Sequence, residues 1–187
     1  MQPRELLDLL SVAERLKDTT RHSYTSKGRH ESVAEHSWRL TLMALMLKPQ
    51  YPALDMERVI EMCLIHDLGE AFTGDIPAFL KQDEDSRHES DVLERWLASL
   101  PVELQGWLPL WREMEALESP EAKLYKALDK LEALIQHNEA DLSTWLPLEN
   151  DLQMTYGTAE CAFDPWIKSL RDMVRDDSRR KIEEGGC

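Results

Sequence analysis

Residues 63–77, CLIHDLGEAFTGDIP, constrain this chain most, because adjacent His66 and Asp67 sit in an otherwise apolar run. An imidazole and a carboxylate in such surroundings cost folding free energy unless something pairs them, and a divalent cation satisfies both. Val59, Ile60, Met62, Cys63, Leu64, Ile65 and Leu68 leave the segment apolar on most sides, which predicts a buried helix over residues 55–72. At about 100° per residue, Asp67 lies about 100° from His66 and Glu70 about 40° from it, so three polar groups share one arc. Gly69 thins the backbone there and would admit a ligand, and Thr73-Gly74-Asp75 followed by Pro77 predicts a helix stop and a restart. Alone, His66 and Asp67 are a satisfied core pair; their weight comes from the segments around them.

Those segments read as helices. Ser32-Val33-Ala34-Glu35 is a capping box that opens a helix through about Leu47, with Leu40, Met43, Ala44 and Leu47 as its apolar face. His36 falls in the first turn, where a helix N-terminus favours anions, so a neutral, ligating imidazole suits the position better than a charged one. Taken by itself it is a capped surface histidine. Further helices are expected over residues 4–17, 86–99, 121–141 and 154–174, with Trp107, Leu110 and Trp111 supplying packing between them. In the 121–141 stripe of Leu124, Leu128, Leu131 and Leu134, Asp129 is a second buried carboxylate, for which adjacent Lys130 is the ordinary partner. Residues 18–31 are polar and basic and read as a loop. One arginine of that loop turned inward would suit a phosphate, because its planar fork binds two oxygens.

The expected fold is therefore all-α, one helical-bundle domain over residues 1–174 followed by a charged C-terminal tail, residues 175–187, open to disorder. Three of its helices contribute four candidate ligands, His36, His66, Asp67 and Asp129. Two imidazoles with two carboxylates suit Mn²⁺, Fe²⁺, Co²⁺ or Zn²⁺ and are poor for Cu(I).

Charge narrows the partners. With 36 acidic against 22 basic residues, a formal charge of −14 and an isoelectric point near 4.8, attraction to a nucleic-acid polymer or a membrane surface is disfavoured, although a local positive site can still hold one small anion. Cys63, Cys161 and Cys187 form no C-x-x-C pair, so neither a disulfide framework nor a thiolate zinc site is indicated. With no signal peptide and no apolar run near twenty residues, the expected compartment is the cytoplasm. The tryptophans are assigned to the core and a subunit interface.

The H…HD…D order of His36, His66-Asp67 and Asp129 resembles the HD-domain superfamily of metal-dependent phosphohydrolases. The flanks ESVAEHSWRL (31–40), HDLGEAFTGDIP (66–77) and KALDKLEALIQH (126–137) are similar to its YfbR-like 5′-deoxynucleotidase branch, over about Arg21 to Glu139. The resemblance implies an all-α HD-type bundle, a homodimer, and hydrolysis of 2′-deoxyribonucleoside 5′-monophosphates to nucleoside and phosphate with one divalent ion (Mn, Co, Fe or Zn). It also implies that His36, His66, Asp67 and Asp129 hold the metal, that Glu70 takes part in proton transfer, that Asp75-Ile76-Pro77-Ala78 binds substrate, and that Arg21 orients the phosphate. The pattern departs at His22, where the branch carries a tryptophan that contacts substrate. Glu70 would either orient the water or protonate the leaving 5′-oxygen, and Asp75 could accept a hydrogen bond from the 3′-hydroxyl.

Two other readings make different demands. A two-iron oxygenase of the same fold needs extra histidines; His88 is a possible fifth ligand, otherwise a surface or cap residue, and no second one lies between it and Asp129. A non-catalytic nucleotide-binding protein would gain nothing from burying Asp67 and Asp129 together. His30 and His137 are expected to be exposed or locally hydrogen-bonded.

Overall fold

The computed structural model describes residues 1–185. Three helices make the centre: α2 (Val33–Leu47), α3 (Met56–Ile65) and α7 (Pro120–Glu139), with α1 (Pro3–Glu14) packed outside them. Leu40 and Ala44 of α2, Val59, Met62 and Cys63 of α3, and Leu124, Ala127, Leu128 and Leu131 of α7 are all fully buried and form one cluster. Each such leucine removed from water contributes roughly 1.5–3 kcal/mol, so the helices that carry or lead into the candidate ligands are anchored in the core. The caps are those the sequence encodes. Ser32 Oγ accepts from Glu35 N at 3.3 Å while Glu35 Oε2 accepts from Ser32 N at 2.9 Å, and Ser119 Oγ accepts from Ala122 N ahead of α7.

Five expectations change. The basic segment is not a loop: residues Thr20–Tyr24 (β1) and His30–Ser32 (β2) pair as an antiparallel hairpin, with Thr20 opposite Ser32 and Tyr24 opposite His30. Its strands lack apolar alternation because they are held by polar contacts to α7, where Gln136 Nε2 donates to Tyr24 O at 2.6 Å. The helix expected over 55–72 is broken. α3 ends at Ile65, a turn carries His66 to Gly69, and α4 (Glu70–Thr73) follows.

Gly69 admits a helix rather than a ligand. A Cβ there would meet Leu93 Cβ at 3.3 Å and Glu89 Cγ at 3.4 Å, both on α5 (Asp83–Ala98). At the stop after α4, Gly74 has φ +77°, a conformation that glycine adopts without strain.

The C-terminal part also differs. After α6 (Trp107–Ala116) and α7, the expected closing helix is two: α8 (Glu149–Thr155) and α9 (Pro165–Gly185). The charged segment from Arg175 continues α9 and is not a tail as far as Gly185, since Ser178 is fully buried within hydrogen-bond distance of Asn138 Oδ1 and Gln153 Oε1. Gly186 and Cys187 lie outside the described residues. Among the described residues, no helix is long and apolar enough to cross a membrane. Trp111 and Trp145 are buried, as expected of core tryptophans, whereas Trp38 is 65% exposed.

Candidate metal centre and the adjoining cavity

The break after α3 places His66 at the helix end, where its Nδ1 lies 2.9 Å from Cys63 O. A backbone carbonyl only accepts, so Nδ1 carries the proton and Nε2 is left as a lone pair. On α2, fully buried His36 turns Nδ1 to the Glu132 carboxylate of α7, which likewise leaves its Nε2 a lone pair when the ring is neutral. The two Nε2 atoms face each other at 3.2 Å. His66 Nε2 is 2.9 Å from Asp67 Oδ2, and His36 Nε2 is 3.4 Å from Asp129 Oδ1 and 3.8 Å from Asp67 Oδ2.

Two imidazole nitrogens and two carboxylate oxygens converging on one point are a poor arrangement for a folded chain unless positive charge, a proton or a cation, sits among them. The chemistry of the donor set thus fits a divalent metal. The electrostatics point the same way. Burial and the Arg21 charge oppose a proton on His36, yet its contacts with Asp129 and Glu132 push its pKa up to about 9, so the nest stabilises positive charge between its donors. Burial works against ionisation of Asp129 as well, but Lys126, at 3.0 Å, and Lys130, at 3.8 Å, hold its pKa well below the usual carboxylate range. Lys126 is therefore the nearer partner, where sequence proximity had suggested Lys130.

Arg21 reaches the site from β1. Its Nη1 is 3.4 Å from Asp67 Oδ2 and its Nε 3.5 Å from Glu31 Oε2. Burial disfavours its charge, but Asp67, Asp75, Glu132 and Glu70 more than compensate and raise its pKa. Glu70, at the start of α4, is buried with an unpartnered Oε2. Burial, reinforced by Asp67 and Asp75, pushes its carboxyl up to about 10.

Arg21 also lines a cavity of about 250 Å³ together with His22, Asp75, Pro77, Ala78 and Phe79. Of the 75–78 segment, Ile76 is not in that wall. His88 is exposed on α5. The His, Cys, Asp and Glu groups close enough to share an ion among the described residues are His36–His66–Asp129, which Asp67 borders, and Glu31–His36–Glu132.

Sequence reasoning missed Glu31, Glu132 and Lys126. The available signal was position: Glu132 lies one turn from Asp129 on α7, and Arg39, one turn from His36 on α2, donates to it. His137 also departs from expectation, being buried and stacked on Trp145 with ring centroids 4.3 Å apart. His30 is exposed, with Nδ1 2.9 Å from Arg21 O.

A family model described as HD domain matches residues 13–171. The chain is 36% identical to the 5′-deoxynucleotidase HDDC2 of Bos taurus over 73% of this chain and 68% of that one. It is 32% identical to the 5′-deoxynucleotidase HDDC2 of Danio rerio over 97% and 92%. Among solved structures it is similar to that of a predicted metal-dependent phosphohydrolase from Magnetospirillum magnetotacticum MS-1, with TM-score 0.78, 26% identity, and coverage of 95% of this chain and 93% of that one.

Proposed function

Since the chain belongs to the HD-domain family, we propose that it is a metal-dependent 5′-deoxynucleotidase hydrolysing 2′-deoxyribonucleoside 5′-monophosphates. The observation that carries this reading is the facing pair of imidazole Nε2 lone pairs at 3.2 Å, bordered by Asp67 and Asp129 and opening toward Arg21. His36, His66, Asp67 and Asp129 would hold one ion of Mn, Co, Fe or Zn. When bound, the ion supplies a lowered water pKa and neutralises charge on the phosphoryl group.

The chain's own residues do the rest. Arg21, already desolvated among carboxylates, exchanges its contacts with Asp67 and Glu31 for two phosphate oxygens and holds the group in line, the positioning on which phosphoryl transfer depends. Glu70, kept protonated by its surroundings, is placed to give a proton to the leaving 5′-oxygen. Asp75 accepts from the 3′-hydroxyl, while Pro77 and Ala78 wall the sugar. His88 is exposed and, among the described residues, belongs to neither group close enough to share an ion, which disfavours the two-iron oxygenase. The convergence of all four donors disfavours a purely binding role.

The free, buried thiols of Cys63 and Cys161 suit a reducing compartment, the cytoplasm. An exposed apolar stripe on α2, of Trp38, Leu42, Leu45 and Met46, supports a homodimer.

The test is phosphate release by chelator-stripped protein after Mn²⁺, Co²⁺, Zn²⁺ or Mg²⁺ is restored, across 5′-deoxynucleotides, 5′-ribonucleotides and 3′-nucleotides, beside an Asp67→Asn control. Metal-dependent release from 5′-deoxynucleotides that the control abolishes is the expected result. Folded, metal-loaded protein that releases nothing would overturn the reading.

A further inference from the structure

The cavity that Arg21 lines contains a second group of titratable side chains that phosphate chemistry leaves unused. His22 Nε2 lies 3.1 Å from Glu149 Oε1, and His137 Nε2 lies 3.5 Å from Glu149 Oε2. All three residues line the cavity. Each is fixed from behind. Leu146 N donates to Glu149 Oε2 at 2.6 Å, Trp145 stacks on His137 and donates from Nε1 to His137 O at 3.1 Å, and the Phe79 ring meets His22 edge to face at 5.3 Å.

The group is also unfinished. His137 is 7% exposed and Glu149 6%, yet neither His137 Nε2 nor His22 Nε2 has a hydrogen-bond partner of good geometry. Burial holds the His137 pKa below its ordinary value, with Glu149 opposing and His22 adding to it. Buried polar groups at a cavity wall with hydrogen-bonding capacity to spare await a ligand. The carboxylate repels a second anion. The same wall carries Pro77, Phe79, Leu134 and Leu152, which suit the faces of a flat ring.

An ionised carboxylate only accepts hydrogen bonds, so the ring edge it meets must present N–H. Adenine, cytosine and guanine present an exocyclic amino group. Thymine and uracil present one N–H between two carbonyl oxygens, and so bring a carbonyl against the carboxylate. We propose that Glu149, flanked by His22 and His137, reads the base edge and selects 2′-deoxynucleotides bearing an exocyclic amino group over those of thymine and uracil. This selection rests on the nucleotidase reading above and adds to it the residue that discriminates among substrates.

The experiment measures kcat/KM of the metal-loaded protein and of Glu149→Gln for dAMP, dCMP, dGMP and dTMP. Each value is divided by that for 2-deoxyribose 5-phosphate, which has no base, so that any general loss in the variant cancels. A wild-type preference for the amino-bearing nucleotides of about tenfold or more over dTMP is expected from one charge-assisted hydrogen bond lost. Glutamine, which both donates and accepts, brings the ratio to within about threefold. Equal wild-type ratios overturn the proposal without any variant, and so does an unchanged preference in folded Glu149→Gln. Failure to release phosphate from every substrate, 2-deoxyribose 5-phosphate included, is failure of the nucleotidase reading instead. Calorimetry with deoxyadenosine and thymidine then decides the base selection, tighter binding of deoxyadenosine supporting it and equal binding overturning it.

Discussion

Glu132→Gln tests the proposal that His36 is a metal ligand whose tautomer Glu132 sets. Glu132 is fully buried, with one carboxylate oxygen against His36 Nδ1 and the other accepting from Arg39 Nε. Glutamine keeps the shape but has only one carbonyl oxygen, so an amide N–H must face either His36 Nδ1–H or the Arg39 guanidinium, donor against donor. The loss of one charge-assisted hydrogen bond in a buried setting costs roughly 1.5–3 kcal/mol. That energy previously kept the His36 proton on Nδ1. Without it the proton is free to move to Nε2, the atom facing His66 at 3.2 Å and Asp129 at 3.4 Å, and a protonated Nε2 cannot ligate. Metal affinity should therefore fall by about 10–100-fold, the usual range for losing such an orienting partner. Competition with a chromophoric chelator measures it directly, and circular dichroism checks the fold. If the folded variant binds metal within about twofold of wild type, Glu132 does not set the tautomer and the account of the site is wrong.

Other perturbations test different parts. Arg21→Met should lower kcat/KM by about 10²-fold or more while leaving metal affinity near wild type, and Arg21→Lys should restore little because a point charge cannot fork across two oxygens. Glu35, drawn down to about 2 mainly by its hydrogen bond to Arg29, with the Ser32 cap assisting, has a folded pKa below its ordinary 4.5. Its contribution is therefore complete above about pH 4.5 and lost as pH falls toward 2, so urea midpoints of Glu35→Gln should converge on wild type across that interval and lie below it at pH 7. Truncation after Val174 should lower the urea midpoint, because it exposes the Gln153 and Asn138 contacts of Ser178; an unchanged midpoint would make the segment a tail after all. The proposed homodimer is tested by Leu45→Glu on the exposed α2 stripe: light scattering should give a dimer for the wild type and a monomer for the variant, and a wild-type monomer would overturn the pairing.

The first layer of the site was legible in the sequence, and the second was not, for a physical reason. His66, Asp67 and Asp129 stand out because each is polar inside a strongly periodic apolar run, and a buried polar group advertises a missing partner. His36 stands out less by itself and is placed by its capping box. Glu132 carries the same signal as Asp129, a carboxylate between Leu131 and Leu134, yet at the C-terminal half of α7 it reads equally as the partner of a neighbouring base. Only the crossing of α2 over α7, which brings Arg39 and His36 to it, distinguishes the two. The hairpin escaped for the opposite reason. Thr20–Tyr24 has no apolar alternation to announce a strand, and its contact to α7 arises between elements far apart in the chain. Pattern reading follows burial of apolar faces; Arg21 enters the site through a polar strand that such a pattern does not contain. The break at His66 follows from the same limit. Helical periodicity runs unbroken through residue 68, but the backbone ladder does not: Leu68 N donates to Ile65 O and Glu70 N to Asp67 O, three residues back rather than four. His66 itself keeps helical φ and ψ of −58° and −41° and donates to Met62 O at 3.1 Å, so its ring leaves the helix end toward His36 and the turn begins only after it. The candidate donors His66 and Asp67 therefore lie where the regular helix gives way, a place that apolar periodicity does not mark, while Gly69 beside them leaves α5 room to approach.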